Sequence, residues 1–150
     1  MLVGSLRFRL PCILLAVCAL VVLNAGSARA GSATRAAFVS DTNHARDYHD
    51  RREYRVRDGL NDVAQNWADW MAAHHSLEHN PNLESQVHGW QSLGENVGRG
   101  GSESAIQRAF MRSAPHRDNI LSRSFTLVGV GTARDSNGVL YVDEVFKRPS

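Results

Sequence analysis

The order of patterns along the chain predicts an α+β fold, with helices first and an antiparallel pair of strands at the end. Two observations carry this. From Asp58 to His75 apolar residues recur at three- and four-residue steps (Leu60, Val63, Ala64, Trp67, Trp70, Met71), the stripe of an amphipathic helix with Asp58 as its N-cap. From Thr126 to Phe146 two strand-like runs, 126–135 and 139–146, flank Asn137-Gly138, the favoured two-residue hairpin turn.

The first 30 residues read as a secretory signal: Arg7 and Arg9, an apolar run from Leu10 to Leu23, then Ala28-Arg29-Ala30 as a small-residue cleavage site. The apolar run is about 14 residues against the roughly 20 that span a bilayer, so no stable membrane insertion is expected after cleavage. Both cysteines, Cys12 and Cys18, lie in this segment, which leaves the exported part without a disulfide and without a cysteine nucleophile. Cleavage removes three arginines and no acid, and the formal net charge passes from +2 to −1. A near-neutral chain lacks the clustered positive field of a nucleic-acid binder. The exported part has the size of one domain, with residues 31–37 as a loose leader and 38–148 as the folded body.

Each remaining element has its own signal. Phe38, Thr42, Ala45 and Tyr48 fall at helical spacing, and the alternating charges between Arg46 and Glu53 suggest a solvated helix face continuing to about Tyr54. Residues 80–101 show little periodicity and many glycines, and are expected to form a long ordered loop. Gly98-Arg99-Gly100-Gly101 lacks the Gly-Lys-Ser/Thr of a phosphate loop. Ser102 can cap a helix carrying Ala105, Ile106, Ala109, Phe110 and Ser113; Ala114-Pro115 then breaks it and starts a short helix that begins on His116 and buries Ile120 and Leu121. If Ser136 pairs with Val139, then Gly129 lies across from Phe146 and Gly131 from Glu144, leaving a hollow in front of Glu144.

Chemistry would gather on His79, Glu95, His116 and Glu144, since imidazoles ligate metals and exchange protons near neutrality and carboxylates ligate or orient them. No closely spaced metal motif is present: His74 and His75 are neighbours and point to different sides of a helix. His44, His49 and His88 sit among polar residues and are expected at the surface. No serine occupies a Gly-x-Ser-x-Gly turn, which argues against a serine hydrolase.

Taken in order, Ser76-Leu77-Glu78-His79, Gly94-Glu95-Asn96, Phe110 to Ser113, His116 to Leu121, Val128 to Gly131 and Tyr141 to Phe146 resemble the secreted bacterial branch of the CAP superfamily, also called SCP-like. The resemblance covers Phe38 to Phe146. It implies a three-layer α/β/α sandwich with a small antiparallel sheet, and a cleft of two histidines and acidic residues that in some members holds zinc or another divalent ion. On that basis His79 and His116 are the candidate metal ligands, of modest affinity, with Glu95, Glu144, Ser113 and Asn96 around them. Ser113 departs from the family pattern, standing where animal and plant members carry a glutamate; Glu144 is the candidate replacement, on strand geometry. The function implied is an extracellular binding or interaction domain whose ligand is a lipid, a peptide or a cell-wall or host-surface component. The alternative is a metal-assisted hydrolase with Glu95 as base.

The signal predicts a mature N-terminus at Gly31. Intact-mass measurement on protein recovered from the medium checks this; recovery of the whole chain in the membrane fraction would contradict it.

Overall fold

The computed structural model describes residues 13–150, with side chains from Gly31 onward, so Arg7, Arg9 and Cys12 lie outside the described residues. Gly31–Ser150 is one compact unit. No described helix is long and apolar enough to cross a membrane.

The elements are α1 (Ile13–Tyr48), β1 (Arg55–Val56), α2 (Asp58–His74), α3 (Leu83–Gln86), β2 (Trp90–Gly100), α4 (Glu103–Arg112), α5 (Ala114–Ile120), β3 (Leu127–Arg134) and β4 (Leu140–Pro149). The strands form one sheet in the order β1-β3-β4-β2. All pairings are antiparallel except the two-residue contact of β1 with β3. On one face α2 packs through Leu60, Ala64, Met71 and Ala72 against Leu127, Val145, Val97 and Tyr141. On the other, Phe38 of α1, Ile106 and Phe110 of α4 and Ile120 of α5 cover Val128, Val130, Val142 and Phe146. Helices, sheet and helices make the expected three-layer α+β sandwich.

The hairpin register differs from expectation by one residue. Gly131 pairs with Asp143 and Gly129 with Val145, while Val130 pairs with Glu144 and Val128 with Phe146. The turn is the cause. It holds three residues, not two: Asp135 N–H donates to Val139 O at 3.0 Å, the Asp135 carboxylate accepts the N–H groups of Asn137 and Val139, and Gly138 takes φ +79°. A one-residue slip exchanges the two faces of a strand. Glu144 therefore faces α1 and α4, and there is no hollow in front of it. The glycines have another use, because a Cβ on Gly129 would strike the backbone of Leu60 and one on Gly131 the backbone of Ala64. They let α2 lie directly on β3.

Residues 90–100, expected within a loop, form the longest pairing in the sheet, ten positions against β4. Gly94 and Gly98 hid it. A Cβ at Gly98 would lie 2.7 Å from Phe110, and one at Gly94 2.9 Å from Asn119 and Phe125, so the strand's alternation is written in glycine where α4 and α5 press on it.

Smaller corrections have local causes. Residues 31–37 continue α1 and are not loose: Gly31 O accepts from Thr132 Oγ1 and Arg35 donates to Gln65. The same helix stops at Tyr48, short of Tyr54, with Asp50 at φ 54°. Arg46 is 2% exposed and not part of a solvated face; its guanidinium donates to the carbonyls of Arg52, Ile120 and Ser122 and lies 3.5 Å over the Tyr54 ring. In α2 the N-cap is Arg57, with Asp58 the first helical residue. Ser102 does cap α4, accepting the Ala105 N–H.

Adding one methyl where α2 rests on β3 should cost about 1–3 kcal/mol by overpacking. Gly131→Ala should lower the urea midpoint by that measure; an unchanged midpoint would mean that α2 does not rest on this glycine.

Candidate functional site

β2 is an edge strand, and the two histidines reach it from the two layers. His79 lies in the segment after α2; its Nδ1 is 2.5 Å from Glu95 Oε2, on the α2 side of the strand. The carboxylate accepts, so the imidazole donates from Nδ1. Glu95 also accepts the Asn80 N–H on both oxygens at 3.2 Å. The pair is lopsided: the His79 side chain is 65% exposed and that of Glu95 only 6%. Burial pushes the Glu95 carboxyl up, against the lowering effect of His79 and the Asn80 N–H.

His116 belongs to the opposite layer. Pro115 opens α5 next to it, its ring stacks on Phe110 at 4.9 Å, and its Nδ1 is 2.8 Å from Ser113 Oγ. Ser113, which stands where the family pattern has an acid, thus orients the imidazole with a neutral hydroxyl. Burial, and then the charge of His79, hold His116 below the usual histidine range. The two histidines are fastened to neighbouring positions of β2, His79 by its ring to Glu95 and His116 by its carbonyl to Asn96. In each, Nδ1 is engaged and Nε2 has no hydrogen-bond partner among the described residues.

Behind them lies a buried polar chain. Asn96, fully buried, donates to His116 O at 3.2 Å and to Glu144 Oε2 at 3.1 Å, and accepts from Asn119 Nδ2 at 3.0 Å. Asn119 also donates to Glu95 O, fastening α5 to the edge strand. Glu144 accepts from Thr42 Oγ1 at 3.1 Å, and Thr42 accepts from Gln107. Glu144 was expected to orient an imidazole directly; it touches neither and acts on His116 only through Asn96. Burial pushes Glu144 up to about 7, against the bonds from Asn96 and Thr42.

The acid on Glu95's side of the sheet is Asp143, a residue that the sequence reading left without a role. It is fully buried opposite Val97 and Gly131, and neither carboxylate oxygen has a hydrogen-bond partner among the described residues. Burial raises its carboxyl well above the usual range, and the charges of Glu95 and Glu144 raise it further. The correct register is the only signal in the sequence that would have found it. His44, His49 and His88 are exposed as expected. His75, by contrast, pairs with Asp135 at 3.0 Å.

Helices on both faces of a four-stranded sheet in the order β1-β3-β4-β2 are the architecture of an SCP-like domain. The chain belongs to the cysteine-rich secretory protein family, CAP, whose sequence profile matches residues 39–144. Both cysteines lie outside the matched segment. Among solved structures it is similar to an outer surface protein of Borrelia burgdorferi (TM-score 0.72, 12% identity, 78% of this chain and 93% of that one). It is also similar to an extracellular SCP-domain protein of Bacillus anthracis (TM-score 0.70, 23% identity, 79% of this chain and 41% of that one). A third likeness is to a cysteine-rich secretory protein of Staphylococcus aureus (TM-score 0.66, 17% identity, 79% and 39%). At these identities the likeness is one of fold. No curated protein matches the sequence. Family members are typically extracellular, and these neighbours are described as surface, extracellular or secretory proteins.

The raised carboxyls have a consequence for stability. Glu144 moves from the usual 4.5 unfolded to about 7 folded, so between these values the folded state keeps a proton that the unfolded state has lost. Its effect on stability is therefore most favourable at the acid end and is lost as pH rises through about 7; Asp143 and Glu95 act in the same direction. The melting temperature should be higher at pH 5.5 than at pH 8, and Glu144→Gln should narrow that difference. An equal difference in the variant would mean that Glu144 is not the group being titrated.

Proposed function

We propose that the protein is a secreted, non-catalytic binding domain whose extracellular ligand meets the His79/His116 cleft, and that the two imidazoles can share a divalent cation. One observation carries this reading: each histidine has Nδ1 engaged by a neighbour, Glu95 or Ser113, and Nε2 left over. An imidazole held by one nitrogen presents the other in a fixed direction. The Ser113 hydroxyl can accept from Nδ1–H, because its own proton rotates, and this leaves an Nε2 lone pair on His116 for a metal.

The donor set suits zinc, and two nitrogens make an open site. No group of three His, Cys, Asp or Glu side chains that could hold a metal ion occurs among the described residues. Structural zinc takes four protein ligands and catalytic zinc three plus water, so here solvent or the ligand itself would complete the shell and affinity would be modest. A bound ion would supply Lewis acidity and a charged anchor for an anionic or carbonyl group. A second reading, metal-assisted hydrolysis with Glu95 as base, draws on the burial that raises that carboxyl beside the cleft. It ranks lower because no activated side-chain nucleophile is visible among the described residues, so that a metal-bound water would have to take that part.

Calorimetric titration with zinc tests the cation. Uptake should be measurable at pH 7.5, weaker in His79→Ala and His116→Ala, and reduced at pH 5, where protons compete for the imidazoles. Parent-like binding by both variants, or no uptake by the parent, sinks the metal reading. Turnover of peptide or ester libraries that vanishes in Glu95→Gln, with the fold intact, would put the hydrolase first.

A further inference from the structure

A second cleft lies where the start of α2, the end of α3, the start of β3 and the far end of β4 meet. It encloses about 390 Å³ and is lined by Arg57, Gly59, Leu60, Gln86, Val87, His88, Leu127 and Lys147. It shares no residue with the histidine site. Its volume is at the lower end of the roughly 300–1,000 Å³ range of small-molecule sites.

Its chemistry is divided. Leu60, Val87 and Leu127 are buried members of one apolar cluster and form the floor. The polar side chains around them offer hydrogen-bond donors. Arg57 is exposed and forms no ion pair with any described residue. Lys147 gives one ammonium proton to His88 O at 2.6 Å, which fixes its head at the rim with two protons to spare. Gln86 accepts from Asn80 Nδ2 on its oxygen, which leaves its NH₂ as the group to offer. No carboxylate lines the cleft, and the nearby Asp58 faces its own helix, accepting from Asn61. Two cations and an amide NH₂ above an apolar floor require a ligand with an anionic head and an apolar body.

We propose that this cleft binds a small organic carboxylate with a branched aliphatic body, the head held by Arg57 and Lys147 and the body resting on Leu60, Val87 and Leu127. A planar carboxylate suits the guanidinium fork, with the ammonium as a second point charge. The body replaces water over side chains that otherwise face the cleft from the core.

The probe is 4-methylpentanoate, with its neutral isostere 4-methylpentanamide and with acetate as the head alone, titrated into the purified protein by calorimetry and methyl NMR. The carboxylate should bind and move the methyl signals of Leu60, Val87 and Leu127 while leaving the His79 and His116 ring signals in place. The amide and acetate should each bind at least about tenfold more weakly, the effect of losing a charged hydrogen bond or the apolar contact. Arg57→Gln and Lys147→Gln should each weaken the carboxylate by roughly tenfold. Gly59→Glu gives a block that keeps the fold, because a Cβ there meets nothing within 4 Å and an acid in the first turn of a helix is favourable; it should abolish binding. Equal binding of acetate means an adventitious anion only, and equal binding of the amide means an apolar contact only. Either result overturns the proposal, as do unchanged affinity in all three variants and shifts confined to the histidines.

Discussion

The close contact between α2 and strand β3 is the constraint on which the rest of the molecule depends. Gly129 and Gly131 leave no side chain between the helix backbone and the strand, so α2 can sit on the sheet in one place only. That contact assigns the faces. With Gly129, Gly131, Asp143 and Val145 turned toward α2, the residues between them, Val128, Val130, Glu144 and Phe146, must turn toward α1, α4 and α5. The carboxylates of the last strand are thereby sent to opposite layers.

This division sets the character of the site. Glu144 lies inside a hydrogen-bonded chain that runs from Gln107 through Thr42 to Asn96, and Asn96 holds the backbone of His116 in place from behind. Asp143 has no such bonds and sits where burial keeps its carboxyl protonated to unusually high pH. Asp143 and Glu144 thus resist ionisation, and of these acids and Glu95 it is Glu95 that contacts a candidate-site imidazole among the described residues.

Much of this was legible beforehand, for reasons that differ by element. The span of α2, the Ser102 cap and the Pro115 break are local signals, and each lies where the structure has it or within a residue. The motif resemblance supplied the three-layer arrangement, which no local pattern contains. What failed was nonlocal. The glycines that make β2 unreadable as a strand are there because Phe110, Ile106, Asn119 and Phe125 press on them, and none of those neighbours is adjacent in sequence. The hairpin slipped because Asn137-Gly138 has the composition of a two-residue turn, while the Asp135 carboxylate, by taking two backbone N–H groups, closes a three-residue one. That single residue of register exchanged Asp143 for Glu144. The choice of His79, Glu95 and His116 did not depend on register: His79 bonds to Glu95, and His116 is held through Asn96, the next residue of β2.

The tryptophans of α2, which their spacing puts on its apolar stripe, are only partly buried. The buried stripe is Leu60, Ala64, Ala68, Met71 and Ala72, with Trp67 and Trp70 at its margin, stacked 4.5 Å apart and nearly parallel, and His74 continuing the stack at 4.3 Å. The Trp67 indole N–H donates to the carbonyl of Glu78, the residue before His79. The chain thus carries an intrinsic optical reporter: one indole of the stacked pair is hydrogen-bonded to the segment that holds the first histidine, and the other lies against an exposed imidazole. Changes in that segment can be followed by indole fluorescence without attaching a dye.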